Sequence, residues 1–426
     1  MTVKDMLGRS GVVTRDEALR ILNEQFVLPD LPTEEISISS ALSRVLAIEI
    51  ISPSNLPQFN RSTMDGYAVS SVDTFGAAES RPVILHVVGD ILMGTMPDRS
   101  LAKGEAMKIA TGGALPRGAD AVVMFEHTQS VDAENIEVVK SVAPLENVIE
   151  SGEDIKEYES ILSRGHRMRP QDMSALASVG ITNIKAFTKP KVAIISTGNE
   201  IVAANTVPAL GQIRDSNSYN LEGLITQFFG IPVKMGIIRD EYESLQKTLE
   251  SAINDNALVL MTGGSSVGTA DLTAKVINGA GKPGVLVHGV SIKPGKPLII
   301  GLVGSSHGQV PILGLPGHPA AVSICFDLFV KPILACLTGE IVDPALENVP
   351  SYRTVKARLA RSIASSPGRE DHVRVALEKR DDGLWARPIF GASGLISTLV
   401  KAAGTVVVPE TKIGIEAGED VEVRLF

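Results

Sequence analysis

From Lys191 onward the apolar positions of this chain come in short unbroken runs. KVAIIST (191–197), VKMGIIRD, ALVLMTGG, GVLVHGV, LIIGLV and VPILGL are bounded by Gly, Pro, Asp or Asn. Runs of this kind read as strands covered on both faces. Between them stand NSYNLEGLITQFFG, EYESLQKTLESAIND and DLTAKVING, whose apolar spacing is helical. Alternating strands and helices predict βαβ units, and hence a mainly parallel sheet with helices on both faces. GHPAAVSICFDLFVKPILACL closes the series as one long helix.

Upstream the pattern is different. Residues 50–150 carry short strand-like pieces (VILHVV, EAMKIA, DAVVMFEHTQ, NIEVVK) split by Gly, Pro and Asp, which predicts an all-β insertion. It is flanked by TRDEALRILNEQ (14–25), a helix with Thr14 as N-cap and Glu17 completing a capping box. On its other side RPQDMSALASVGI (169–181) reads as a helix with Gly180 at C′. After IVDPALENVP, which has a linker's composition, YRTVKARLA, DHVRVALEK, WARPI, GTVVVPE and EDVEVRLF predict a small β-barrel or sandwich.

Length and composition narrow the class. A chain of 426 residues exceeds the roughly 250–300 that a single core serves, so more than one domain is expected. Net charge is −9 and the aromatic share is 4%, which argues against a broad nucleic-acid face; an anion site would have to be a local basic pocket. The two cysteines, Cys325 and Cys336, form neither a disulfide framework nor a CxxC pair and read as buried thiols. Pro297 to Phe326 contains no Asp, Glu, Lys or Arg. Its Gly and Pro breaks divide it into two strands and a helix, so no membrane span is expected. The first residues lack a signal-peptide apolar region, which makes the cytoplasm the expected location.

In an open parallel sheet, ligands bind beyond the C-terminal ends of the strands. After KVAIIS comes TGNEI with Glu200, and after GIIR comes Asp240. After LVLM comes TGGSSVGTAD, with Thr262, Gly263, Gly264, Ser265, Ser266 and Asp271. Such a Gly-rich loop opening onto a helix suits phosphate or another anion, with Asp271 as a candidate N-cap. After VLVHGV comes SIKPGKP, with Lys293 and Lys296 as point charges suited to an oxyanion. After ILGL comes Pro316-Gly317-His318-Pro319. Glu200, Asp240 and Asp271 are acids at three strand ends; beside phosphate-binding loops they suit Mg²⁺, although capping of the next helix explains any one of them. In the β-rich segment, Asp65-Gly66 carries a hairpin-turn signal, and ATGGALPRGADAVVM (110–124) and SGEDI (151–155) are further polar loops.

NRSTMDGYAV, ATGGALPRGADAVVM, GEDI, STGNEIV, GQIRDSNSYNL, LMTGGSSVGTADLT, IKPGKP, LGLPGHPAAV and GRED occur in this order. In that combination the chain resembles the MoeA/gephyrin E-domain family, the molybdopterin molybdenumtransferases. The resemblance spans nearly the whole chain. It implies an α/β multidomain fold: a linking domain, elongated and discontinuous (1–48 and 151–187), and a β-rich insertion domain (49–150). It further implies a three-layer α/β molybdopterin-binding domain (188–338) and a C-terminal β-barrel (339–426). It implies a homodimer whose site joins the α/β domain of one subunit to the β insertion of the other. The implied reaction takes adenylylated molybdopterin and molybdate to molybdenum cofactor and AMP, with Mg²⁺ present.

Carried across by motif, the family's functional acids fall on Asp65, Asp154, Glu200, Asp240 and Asp271, and its TG threonine on Thr111. Lys293, Lys296, Pro316 and Pro319 match its lysine and proline motifs. Arg369, and Ser393 or Ser397, match residues that the C-terminal domain places near molybdate. Three positions depart from the usual pattern: His318 stands where many members have Asn, GGSS replaces GGVS, and GREDH replaces GRxEF. Other readings are the related adenylyltransferase, a tungstate-preferring member and a receptor-anchoring scaffold. A stand-alone enzyme is favoured over the last because no extra N-terminal domain or long linker stands in the sequence.

Overall fold

The computed structural model describes residues 3–4, 10–263, 267–340 and 353–426. Two compact units emerge: Met1–Glu34 with Ser43–Ala47 and Ala186–Phe426, and Glu35–Leu42 with Ile48–Lys185.

The first unit contains helix α1 (Arg15–Gln25), followed by β1 (Lys191–Thr197), α2 (Asn217–Gln227), β2 (Ile231–Ile238) and α3 (Tyr242–Asp255). Then come β3 (Leu258–Thr262), α4 (Val267–Ala280), β4 (Pro283–His288), β5 (Ile299–Ser305) and β6 (Gly308–Leu315). These strands form one sheet in the order β2-β1-β3-β6-β5-β4. β1 runs parallel to β2 and β3, and β3 parallel to β6, while β5 runs against β6 and β4. The unbroken apolar runs have a simple cause. Along β1, Val192 and Ile194 enter one core with Leu22, Leu221 and Phe326, while Ala193 and Ile195 enter another with Leu249, Ile253 and Ile277. Both faces of the strand are buried, so no polar alternation is left. Each such buried Leu or Ile contributes roughly 1.5–3 kcal/mol.

The long helix is present as α5 (Pro319–Leu337), wound as a π-turn at Phe326–Val330 just before Lys331-Pro332. By length and composition it is the one described helix apolar enough to cross a membrane, but 83% of its apolar window is buried in the protein. A helix that is apolar all round is here simply surrounded by core. Cys325 and Cys336 lie on it as buried free thiols, and burial pushes Cys336 up to about 11.

The C-terminal strands β7 (Thr354–Leu359), β8 (Glu370–Arg380), β9 (Gly383–Pro388), β10 (Gly404–Val408) and β11 (Asp420–Leu425) form a closed five-stranded barrel, because β8 pairs with both β9 and β10. One further pairing matters for the site. The short strand Ile292–Lys293 runs parallel to the start of β8, with Lys293 opposite Asp371. The linker candidate IVDPALENVP, 341–350, lies outside the described residues.

The second unit is built on a six-stranded sheet in the spatial order Thr128–Ser130, Asn135–Val138, Val83–Asp90, Glu105–Ile109, Gly66–Val69 and Ala121–Met124. Its helix Pro170–Ser178 ends as expected, with Gly180 at φ +80° and the Ile181 amide donating to the Leu176 carbonyl at 2.9 Å. Asp65-Gly66 does not make a hairpin turn. Gly66 opens a strand flanked on both sides, and a side chain there would place its Cβ 2.0 Å from the Val123 carbonyl oxygen. Glycine is required by close backbone approach, not by a turn.

Candidate active site

The sheet register brings the C-terminal ends of four strands level: Thr197 pairs with Ile238, Ser196 with Thr262, and Thr262 with Leu315. Their following residues form one rim. The Thr197 hydroxyl donates to Asp240 Oδ1 at 2.5 Å, and the Asp240 amide donates to Asn199 Oδ1 at 3.4 Å. Asp240 is therefore not the cap of α3; Glu241 occupies that position. Glu200 folds back over its own turn, with Oε2 3.0 Å from where a Cβ on Gly198 would lie.

Asp271 is not an N-cap either. α4 begins at Val267, so Asp271 sits in its second turn, half-buried. The helix starts earlier than its apolar spacing suggests because it begins inside the Gly-Ser loop. Gly264, Ser265 and Ser266 lie outside the described residues. Among the described residues no three His, Cys, Asp or Glu side chains gather as a metal-holding group.

Thr262 closes β3, and Gly263 follows at φ +140° with its α-carbon pressed against β1. A Cβ at Gly263 would stand 1.9 Å from the Thr197 carbonyl oxygen. Gly263→Ala is accordingly expected to destabilise the protein by ~3 kcal/mol or more, combining overpacking with backbone strain. Urea unfolding of the variant against wild type measures this; a change under about 0.5 kcal/mol would show that the rim tolerates displacement.

Two residues of the rim were not singled out individually from the sequence. Asp215 is buried, accepting from Ser196 Oγ at 2.7 Å and from the Ser218 amide at 3.0 Å. Asn217 Nδ2 donates to Thr262 Oγ1 at 3.1 Å and to the Gly317 carbonyl at 2.8 Å. Together they lock the start of α2 to the ends of β1, β3 and β6. The available signal was the run of short polar residues, DSNS, where α2 opens.

Next to the rim is a cleft of about 540 Å³. The Ile292–Lys293 pairing with β8 builds it, since it brings the SIKPGKP loop against the barrel. Lys293, Lys296, Pro316, His318, Arg369 and Ser393 all line it. Asp371, 3% exposed, organises two of its cations. It accepts from Arg369 Nε at 2.8 Å and lies 3.8 Å from Lys293 Nζ. Ser393 Oγ is 2.8 Å from His318 Nδ1, and the Ser393 carbonyl accepts from the Ala320 amide at 3.1 Å. Pro319 takes the first position of α5, where its missing N–H costs nothing. Ser397 is exposed at the start of a short helix, Ser397–Val400, and does not line the cleft. Asp371 and Arg374 also line it and were not anticipated. In the sequence they are merely the polar positions of a strand.

The second unit has its own polar loop set. Asp65 Oδ1 accepts from the Thr111 amide at 2.7 Å and from the Thr111 hydroxyl at 2.9 Å. The backbone bond first, then the hydroxyl, hold this exposed carboxyl below its usual range. The 111 loop is tied to the 62 loop by paired bonds between Ser62 and the Gly112–Gly113 backbone. The segment leading to Asp154 is tied in by the Ser151 amide, which donates to Asn60 Oδ1 at 2.8 Å. Asp154 itself is exposed, with its amide bonded to the Leu56 carbonyl at 3.1 Å.

A mainly parallel α/β sheet with a cation-lined cleft beside its strand ends, followed by a small closed barrel, defines a multidomain α/β protein whose cleft lies where ligands of such sheets ordinarily bind. Comparison with known proteins makes this specific. The chain matches the MoeA N-terminal region (domain I and II) over residues 13–180. It matches a probable molybdopterin binding domain over residues 193–335 and the MoeA C-terminal region (domain IV) over residues 356–426. The chain belongs to the MoeA family. A putative molybdopterin biosynthesis protein of Methanocaldococcus jannaschii is 37% identical, with 92% of each chain covered. The molybdopterin molybdenumtransferase of Haemophilus influenzae is 30% identical over 97% of this chain and 99% of its own. The crystal structure of a molybdopterin biosynthesis MoeA protein from Pyrococcus horikosii superposes with a TM-score of 0.82 at 39% identity, covering 97% of this chain and 99% of that one.

Proposed function

We infer that this chain is a molybdopterin molybdenumtransferase that takes adenylylated molybdopterin and molybdate and releases molybdenum cofactor and AMP. The observation that carries the reading is the cleft in which Lys293, Lys296 and Arg369 converge beside the level strand ends. A tetrahedral dianion is held best by charge-assisted hydrogen bonds from such groups. Family matches on both sides of the molybdopterin-binding region favour this reading over an adenylyltransferase.

In this reading the pterin substrate lies along the rim, near Thr262, Gly263 and Pro316. The carboxylates of Glu200, Asp240 and Asp271 serve the phosphate end, and Asp65, Thr111 and Asp154 supply the second polar loop set. The donor set fits Mg²⁺: Asp240 Oδ2 makes no hydrogen bond among the described residues, and Mg²⁺ needs only one or two carboxylates when phosphate and water complete its shell. When bound, it stabilises charge on the phosphate from which AMP departs. The chain acts in the cytoplasm as a homodimer. An adenylyltransferase supplies its substrate, and molybdoenzymes receive its product. It has no nucleic-acid partner.

The test is direct. Purified protein is given adenylylated molybdopterin and Mg²⁺, and AMP is measured with and without molybdate. Release that depends on molybdate is expected. Protein that instead adenylylates free molybdopterin with ATP would sink the reading.

A further inference from the structure

Among the described residues, well-exposed sulfur is confined to the second unit. Cys325 and Cys336 are buried, and burial pushes both thiols up, so neither presents the accessible thiolate on which cysteine oxidation depends. Met168 and Met261 are 1% exposed, Met107 is buried, and Met124, Met173 and Met235 are half-buried. Met64, Met93 and Met96 are exposed, at 43%, 57% and 59%. A single exposed apolar side chain is ordinary. Here all the exposed methionines fall in the loops around Asp65 and Thr111: Met64 precedes Asp65, and Met93 and Met96 share the loop that reaches the Thr111 turn.

The position of Met93 follows from the turn that carries it. The Ile91 amide donates to the Lys108 carbonyl at 2.8 Å and anchors the loop to the sheet. Thr95 donates its amide and its hydroxyl to the Leu92 carbonyl, at 3.3 and 2.8 Å, and Gly94 takes φ +78° to close the turn. Met93 is thereby laid on the neighbouring loop, with Cε 3.5 Å from where a Cβ on Gly112 would lie. The donors of that loop are already committed. The Thr111 amide and hydroxyl go to Asp65 Oδ1, the Gly112 amide to the Ser62 carbonyl, and the Gly113 amide to the Ala110 carbonyl. A thioether asks for no hydrogen bond and packs there without penalty. A sulfoxide is polar and accepts hydrogen bonds. Placed beside Gly112, its oxygen either takes a donor from Thr111 or draws the side chain off the loop into water.

We propose that Met93 is a reversible oxidation site, at which a peroxide converts the thioether to the sulfoxide and loosens the Thr111 loop from Asp65. The sulfur gives an electron pair to one peroxide oxygen. An S–O bond forms as the O–O bond breaks, and the departing hydroxide takes a proton and leaves as water. Sulfur is oxidised by two electrons and the peroxide is reduced by two. A methionine sulfoxide reductase with a dithiol reverses the step, giving thioether, disulfide and water. Met64 and Met96 share the exposure of Met93; the contact with Gly112 is what singles Met93 out. Met93 acts through Thr111 and is a positioning residue. Its effect on turnover rests on the function inferred above, whereas the modification and the loosening do not.

The test treats the full chain with hydrogen peroxide, removes the peroxide with catalase and locates sulfoxides by peptide mass spectrometry. Amide hydrogen exchange over residues 110–113 and molybdate-dependent AMP release are measured before treatment, after it, and after repair with the two sulfoxide reductases and dithiothreitol. Met93 is expected to oxidise well ahead of Met107, Met168 and Met261. Exchange in the 110–113 loop should then rise about fourfold, the loss of one methyl group's apolar contact, and AMP release should fall by a similar factor. Repair should restore both. Met93→Leu is close in volume and has no sulfur, so it is expected to match wild type untreated and to keep its exchange rate and activity through the peroxide. Met93→Gln, polar at the same place, should show the fast exchange without any peroxide. A folded protein in which Met93 stays unoxidised would overturn the proposal. So would full sulfoxide at Met93 with unchanged exchange at 110–113, or losses in Met93→Leu as large as in wild type. Untreated wild type that releases no AMP in response to molybdate would overturn the functional reading alone, and mass spectrometry and exchange would still decide the Met93 site.

Discussion

Replacing Lys293 and Lys296 together by alanine is expected to weaken molybdate binding about 100-fold, with the melting temperature almost unchanged. Each lysine offers a charge-assisted hydrogen bond worth roughly 1.5–3 kcal/mol, and partial solvent access to the cleft brings the pair to the low end of that sum. The Lys293 side chain is 59% exposed, so it adds little to the core. Removing it does not orphan the buried Asp371, because Arg369 still donates to that carboxylate at 2.8 Å. Calorimetric titration with molybdate at fixed ionic strength gives the ratio. Affinity within twofold of wild type would remove the oxyanion role from the SIKPGKP loop.

Asp240→Asn should produce the larger kinetic effect. Asn keeps an oxygen at the position where Asp240 accepts the Thr197 hydroxyl, so the local bond and the fold are expected to survive. What disappears is the negative charge just beyond the end of β2, against Thr197 and Asn199 of the β1 loop. If Asp240 helps hold Mg²⁺ at the phosphate, molybdate-dependent AMP release should fall about 10²- to 10³-fold, the range found when one electrostatic group is removed from a reacting centre. Molybdate affinity in the Lys293 cleft should stay near wild type, which separates this variant from the lysine pair. Wild-type turnover in Asp240→Asn would exclude Asp240 from the metal site and leave that task to Glu200 and Asp271.

Much of the fold was legible because burial leaves a local trace. A strand covered on both faces loses its polar alternation, and that is why β1, β3 and β6 could be read from KVAIIST, ALVLM and VPILGL. Where a glycine has two possible reasons, the trace is ambiguous. Asp65-Gly66 reads as a turn, yet Gly66 is needed because the Val123 carbonyl lies where its side chain would be. The start of α4 was misjudged for a related reason. Small residues in TGGSSVGTAD look like loop, and the helix that begins at Val267 within them continues through Gly268 and Thr269, which are weak helix formers.

The candidate site divides in the same way. SIKPGKP could be recognised as a cationic loop at a strand end from its residues and its place after GVLVHGV. Nothing in those residues says what the lysines face. That is decided by the parallel pairing of Lys293 with Asp371, which sets the loop against the barrel and brings in Arg369 and Arg374. Pairing between distant strands is chosen by register and burial over the whole sheet, so it leaves no signal in either segment alone. Arg374 shows the limit most clearly. In DHVRVALEK it occupies a polar position of an alternating strand and reads as solvent-facing, but it is 6% exposed. By itself the sequence determined the layers of the α/β domain, the β-rich character of the insertion, and which loops carry charge, because these follow from periodicity and from the residue types that loops and strand ends require. Only the tertiary structure decided which of those charges meet and which are buried, because that depends on contacts between segments far apart in the chain.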